Sequence, residues 1–115
     1  MVDLEIFLNK LETAPSKIEF TDTVALINSL YEFTPTAFRN DEIVNEAGQN
    51  SGSCKIFAFA RLHDLSPEKA LACFGAYYRA DVLKNPGAEN HPNIRQFMKT
   101  GWKGIEFEGV ALRAR

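Results

Sequence analysis

The chain has 115 residues, enough for one domain with its own core and roughly two-thirds of its unfolded surface buried. A hydrophobic share of 45%, a charged share of 24% and a net charge of −2 describe an ordinary soluble globular chain, and they exclude a basic nucleic-acid face. Two cysteines outside any CxxC or zinc spacing exclude a disulfide framework, and no apolar run reaches the length of a bilayer span.

Taken in order, Met1–Glu5 is acidic and amphipathic rather than a positively charged signal region. Asp3 is a candidate N-cap for a helix with Leu4, Phe7, Leu8 and Leu11 on one face, ending before Pro15. Ile18-Glu19-Phe20 reads as a short extended connector. Thr21 or Asp22 then caps a second helix, in which Val24, Ile27 and Tyr31 form a stripe that Leu26 and Leu30 widen. Thr34-Pro35-Thr36 breaks the helix. Thr36–Arg39 and Glu42–Asn45 flank Asn40-Asp41 as a hairpin would.

The hairpin delivers the chain into Asn45–Lys55, a polar loop carrying Gly48 and Gly52. The loop runs straight into the most apolar stretch of the protein, Ile56–Leu62. Only Lys55 and Arg61 are charged in residues 54–62, so a buried helix is predicted there, starting near Cys54 and capped by Ser51 or Ser53. A short central strand at Ile56–Phe59 is the competing reading.

Ser66-Pro67-Glu68 is a strong helix start for a segment carrying Ala70, Leu71, Phe74, Tyr77 and Tyr78, with Gly75 as a close-packing point. Asn85-Pro86-Gly87 stops that run. Pro92 opens another helix with Ile94, Phe97 and Met98 on one face and Gly101 at its end. Trp102 seals the core, Ile105–Glu108 alternates as a half-buried strand, and Val110–Arg115 is expected to be partly ordered at best. The expected fold is α+β: a helix-rich single domain over residues 1–115 with a small antiparallel sheet from 36–45 and 104–108.

Asn45, Glu46, Gln49, Asn50, Ser51, Ser53 and Lys55 are the candidate ligand-binding residues. Amide, hydroxyl and charged groups there meet the free N–H groups of a helix start. The same residue types also serve as ordinary turn and capping groups. Cys54 is the candidate nucleophile, because a helix N-terminus and Lys55 favour thiolate; His63 and His91 are the available bases. Gln49 could donate to an oxyanion. A buried, inert thiol is the plainer alternative. One of Tyr77 and Tyr78 can offer its hydroxyl to the loop or to a ligand, since neighbours on a helix point about 100° apart. No metal site and no cofactor are expected.

Phe33–Phe38, Val44–Lys55, Leu71–Arg79 and Phe97–Trp102 together resemble the HopJ type III effector family of bacterial proteins. The resemblance covers nearly the whole chain, with no departure from the family pattern. It implies a single HopJ-like domain, and delivery into plant cells by a type III system as the alternative to a cytoplasmic location. It supplies no catalytic residue or ligand. The expected function is binding of a protein or small molecule at loop 45–55 by a monomer, with no nucleic-acid or membrane partner. The enzyme alternative is a thiol-dependent hydrolase or transferase using Cys54 with His91.

Overall fold

A computed structural model describes residues 2–115, with side chains from Leu4 onward. The capping role expected of Asp3 lies outside the described residues. Helix α1 (Val2–Thr13) ends two residues before Pro15, which starts a single 3-10 turn, Pro15–Lys17. Ile18 and Glu19 are extended, as predicted, but Phe20 already belongs to α2 (Phe20–Leu30). Thr21 and Asp22 therefore lie inside the helix and do not cap it. Its buried stripe is Thr23, Leu26 and Ile27. The Thr23 hydroxyl donates to the Cys73 carbonyl at 2.9 Å, which ties α2 to the far side of the core.

Tyr31 leaves the helix as the first residue of strand β1 (Tyr31–Phe33). The hairpin strands are β2 (Phe38–Asn40) and β3 (Ile43–Asn45), turning at Asp41-Glu42, one residue later than the sequence suggests. The left-handed backbone of Asp41, with φ 55°, suits an Asp in a tight turn.

Helix α3 (Ser51–Leu62) settles the helix-or-strand ambiguity in favour of helix, and it starts three residues earlier than predicted. Ser51 and Ser53 are therefore helical residues. The N-cap is Asn50, held left-handed at φ 53° without a side-chain capping bond. Ile56, Phe57, Phe59 and Ala60 are fully buried. Phe57 packs against Phe38, Phe74, Phe97 and Trp102, with ring centroids 4.9–6.3 Å apart. Phe59 faces Phe7, Tyr31 and His63. The helix is an axle: from Ile56 to Ala60 it is covered on different sides by different parts of the chain.

Ser66 caps α4 (Pro67–Ala72) as expected, accepting from the Lys69 backbone N–H. The helix stops early because Gly75 is left-handed, φ +62°. The chain restarts as a π-helical segment, Tyr77–Val82. Helix α5 (Pro92–Thr100) buries Asn93, Ile94 and Phe97 but leaves Met98 45% exposed, against the prediction. Its buried face is turned toward Asn93, which has polar partners inside. Trp102, in the 3-10 turn Gly101–Gly104, donates to the Leu65 carbonyl and packs edge-on against Phe97.

Strand β4 (Ile105–Phe107) joins the hairpin in the order β3-β2-β4, all antiparallel, as the segments 36–45 and 104–108 foretell. The tail departs from expectation. Leu112–Ala114 forms β5, paired antiparallel with β1, with Ala111 and Leu112 buried. These two short strands lie far apart in sequence, so no local turn announces their pairing. Among the described residues, no helix is long and apolar enough to cross a membrane.

Candidate functional site

The polar loop divides into two parts once folded. Glu46 and Gln49 serve the loop itself: the Glu46 N–H donates to Gln49 Oε1 at 3.0 Å, and the Gln49 N–H to the Glu46 carbonyl at 2.9 Å. The Ser51 hydroxyl reaches the Gly48 carbonyl at 3.4 Å. Lys55 points to α2 and β1, donating to Asn28 Oδ1 at 3.0 Å and sitting 4.9 Å over the Phe33 ring. These four residues do not converge on one ligand position.

Asn45 is 1% exposed and belongs to a buried amide network. Its Nδ2 donates to the Phe38 carbonyl and to Asn93 Oδ1. Its Oδ1 accepts from Asn93 Nδ2 at 3.0 Å and from Asn50 Nδ2 at 2.7 Å. Asn40 adds Nδ2 bonds to the Asn93 carbonyl and Oδ1, at 2.9 and 3.1 Å. Backbone carbonyls only accept, so they fix which end of Asn40 and Asn45 is the amine, and the rest of the chain follows. The hairpin, the loop and the start of α5 are locked together by these amides, with Asn40 Oδ1 left unpaired.

Beyond the network, Asn50, Gly52 and Ser53 line a concavity of about 170 Å³ with Phe20, Tyr77, His91, Pro92 and Asn93. Gly52 lets the Phe20 ring lie close to the helix start: a Cβ there would stand 2.8 Å from the tip of that ring, which would have to shift. His91 is the residue before α5 and is left-handed, φ 51°. Its Nε2 bonds Asp81 Oδ2 at 3.0 Å, and its ring packs on Tyr77, centroids 5.0 Å apart. Tyr77 in turn meets Phe20 edge-on at 4.9 Å. Asp81 and Tyr77 face the same place because both lie on the π-helical segment. Of the sequence candidates, Asn50, Ser53 and His91 come together here, and Tyr77 is the tyrosine that joins them. Asp81, Asn93 and Phe20 carry no local motif that would have singled them out.

Cys54 does not line this concavity. It is 1% exposed, and its thiol lies 3.5 Å from the Thr36 carbonyl. Burial pushes the thiol up, outweighing that bond and the Lys55 charge, which pull it down. Cys73 is pushed up to about 12 by burial alone. The exposed, acidified thiol that a Cys54 nucleophile requires is absent. Iodoacetamide is expected to label both cysteines at least about 100-fold more slowly in native protein than in urea, because only opened molecules expose them. Mass spectrometry of quenched samples reads this, and a rapid native-state reaction at Cys54 would restore the thiol proposal.

His63 is likewise engaged. Its Nε2 lies 2.8 Å from the Tyr31 hydroxyl, and burial lowers its pKa against the opposing pull of Asp64. Among the described residues no cluster of three or more His, Cys, Asp or Glu could hold a metal.

A model of the HopJ type III effector protein family matches residues 4–112. Among solved structures, the crystal structure of the unknown function protein VPA0580 is similar: 54% identity over 97% of this chain and 93% of that one, with a TM-score of 0.96. A comparison with curated proteins gives no match.

Proposed function

The chain belongs to the HopJ type III effector family, and we propose that it acts by binding a small molecule in the concavity where Asn50 and Ser53 meet Tyr77 and His91. One observation carries this reading. The end of the polar loop and the Asp81-tethered His91, 38 or more residues apart in sequence, line the same recess. Asn50 and His91 both hold left-handed backbone, φ 53° and 51°. Such conformations cluster at ligand clamps. The rest of loop 45–55 supports the site from behind: Asn45 anchors Asn50, and Glu46 with Gln49 closes the turn. The family's description as type III effectors supports a ligand met inside a host cell, with the bacterial cytoplasm as the other location.

The test is a ¹H–¹⁵N titration of the full chain with a mixed set of small fragments. Shifts are expected to concentrate at Asn50, Ser53, Tyr77 and His91. Asn50→Gly keeps the left-handed backbone and is expected to weaken binding with the melting temperature nearly unchanged. Shifts gathered in the shallow groove between Leu83 and Met98, or an Asn50→Gly protein that loses stability while binding normally, would overturn the reading.

A further inference from the structure

The π-helical segment and α5 border a second and larger hollow, and we propose that it is a docking surface for an acidic amphipathic helix of a partner protein. This inference goes beyond the recess and does not depend on what the recess binds. The hollow is a groove of about 420 Å³ with Val82, Pro86 and Ala88 on its lining. Leu83 and Met98 also line it, each about half exposed. Large apolar side chains left in water there favour an apolar cover. None of the lining residues belongs to a strand, so an extended peptide finds no sheet edge to pair with. A helix satisfies its own backbone and brings apolar side chains at i, i+3, i+4 and i+7.

Charge decides what flanks that apolar stripe. Met98 and Lys99 follow Arg95 by three and four residues, on one face of α5, and both cations line the groove. The Arg95 guanidinium donates to the Asn90 carbonyl and Oδ1 at 2.6 Å each, and to the Pro86 and Asp81 carbonyls at 3.4 Å each. All four oxygens are neutral, so the guanidinium is fixed in place while its charge stays uncompensated. The Asp81 carboxylate itself bonds His91. Lys99 is exposed, and among the described residues neither it nor Arg95 forms an ion pair. The groove lining contains no carboxylate among those residues. Residues 84–103 hold the cations Lys84, Arg95, Lys99 and Lys103 against one acid, Glu89, in a chain whose acids outnumber its bases 15 to 13. The groove is a positive island, and carboxylates beside a partner's apolar stripe supply the missing counter-charge.

The experiment titrates the full chain, followed by ¹H–¹⁵N spectra at low ionic strength, with three helical peptides of about 16 residues. One carries leucines at i, i+3, i+4 and i+7 flanked by glutamates. The second has lysines in place of the glutamates, and the third scrambles the first so that the stripe is lost. The glutamate peptide is expected to give saturable shifts at Val82, Leu83, Met98 and Lys99. The other two should bind at least about tenfold more weakly, and added salt should weaken the first. Lys99→Glu and Leu83→Ser change exposed side chains and leave the core packing intact. Lys99→Glu should narrow the gap between the glutamate and lysine peptides by about tenfold, and Leu83→Ser should weaken the glutamate peptide. Equal binding of the glutamate and lysine peptides, shifts on another face, or no shifts with any peptide overturns the proposal. So do groove shifts that follow protein concentration alone, which would seat a second copy there, and tighter binding to phosphatidylglycerol vesicles than to the peptide, which would make the face a lipid contact. None of these outcomes touches the recess, which the fragment titration tests by itself.

Discussion

Gly75→Ala is expected to cost the protein about 4 kcal/mol or more, placing it in the small class of substitutions with exceptional effects. Two terms add. The left-handed backbone at φ +62° penalises any Cβ by roughly 1–2 kcal/mol. The new atom would also stand 2.5 Å from the Phe20 backbone nitrogen and 3.0 Å from the Glu19 carbonyl carbon, and neither is a flexible side-chain tip. The α2 start must move to make room. Phe20 moves with it, and Phe20 walls the recess. Thermal unfolding is expected to show a fall in melting temperature of about 15 °C or more, or no cooperative transition. Gly87→Ala is the control, since no atom lies within 4 Å of where its Cβ would stand and its φ carries no penalty; it should change stability by less than about 0.5 kcal/mol. A Gly75→Ala protein as stable as this control would contradict the packing described.

Asn45→Ala is expected to lose about 2–4 kcal/mol, read by urea denaturation, because an unpaired buried donor costs about 1–3 kcal/mol and the unfilled volume adds to that. The substitution deletes the central member of the amide network. Asn93 Nδ2 is then left without the acceptor it uses, deep in the core, and Asn50 Nδ2 loses its tether. Binding in the recess should weaken as well, because Asn50 loses its anchor, so this residue supports the site without touching its contents. A variant of normal stability that fails to bind would instead make Asn45 a direct ligand contact.

These two positions show what a sequence can and cannot disclose. The helices were legible from an apolar stripe at helical spacing, as in Leu4–Leu11, or from a capping signal, as in Ser66-Pro67-Glu68. The buried axle was legible from its near-total lack of charge. The hairpin and its third strand were legible from alternation and turn residues. Strands β1 and β5 were not, because Tyr31 reads as part of the preceding helix stripe and the pairing is set by distant partners. Within the loop, Asn45 and Asn50 drew attention for their amides, but nothing local separates an amide that faces inward from one on the rim. Asn93 sits among helix-forming residues and shows its role only when the hairpin arrives beside it. His91 was picked out as the base of a thiol site. Its actual companion is Asp81, ten residues earlier across a proline-containing turn. Cys54 looked activated because a helix start was near; three extra residues of helix carry it past that end and into the core.

The pairing of β1 with β5 also dictates an order of events. Tyr31, Glu32 and Phe33 find their partners in Ala114, Arg113 and Leu112, and the Arg115 N–H closes onto the Leu30 carbonyl. As a ribosome extrudes this chain, that seam waits for the last residues described, while the Phe59 side of the axle stands with its clasp undone. Fusions placed close behind Arg115 would crowd the clasp, whereas the recess at the opposite end of α3, around Asn50 and His91, has its residues assembled well before the seam can close.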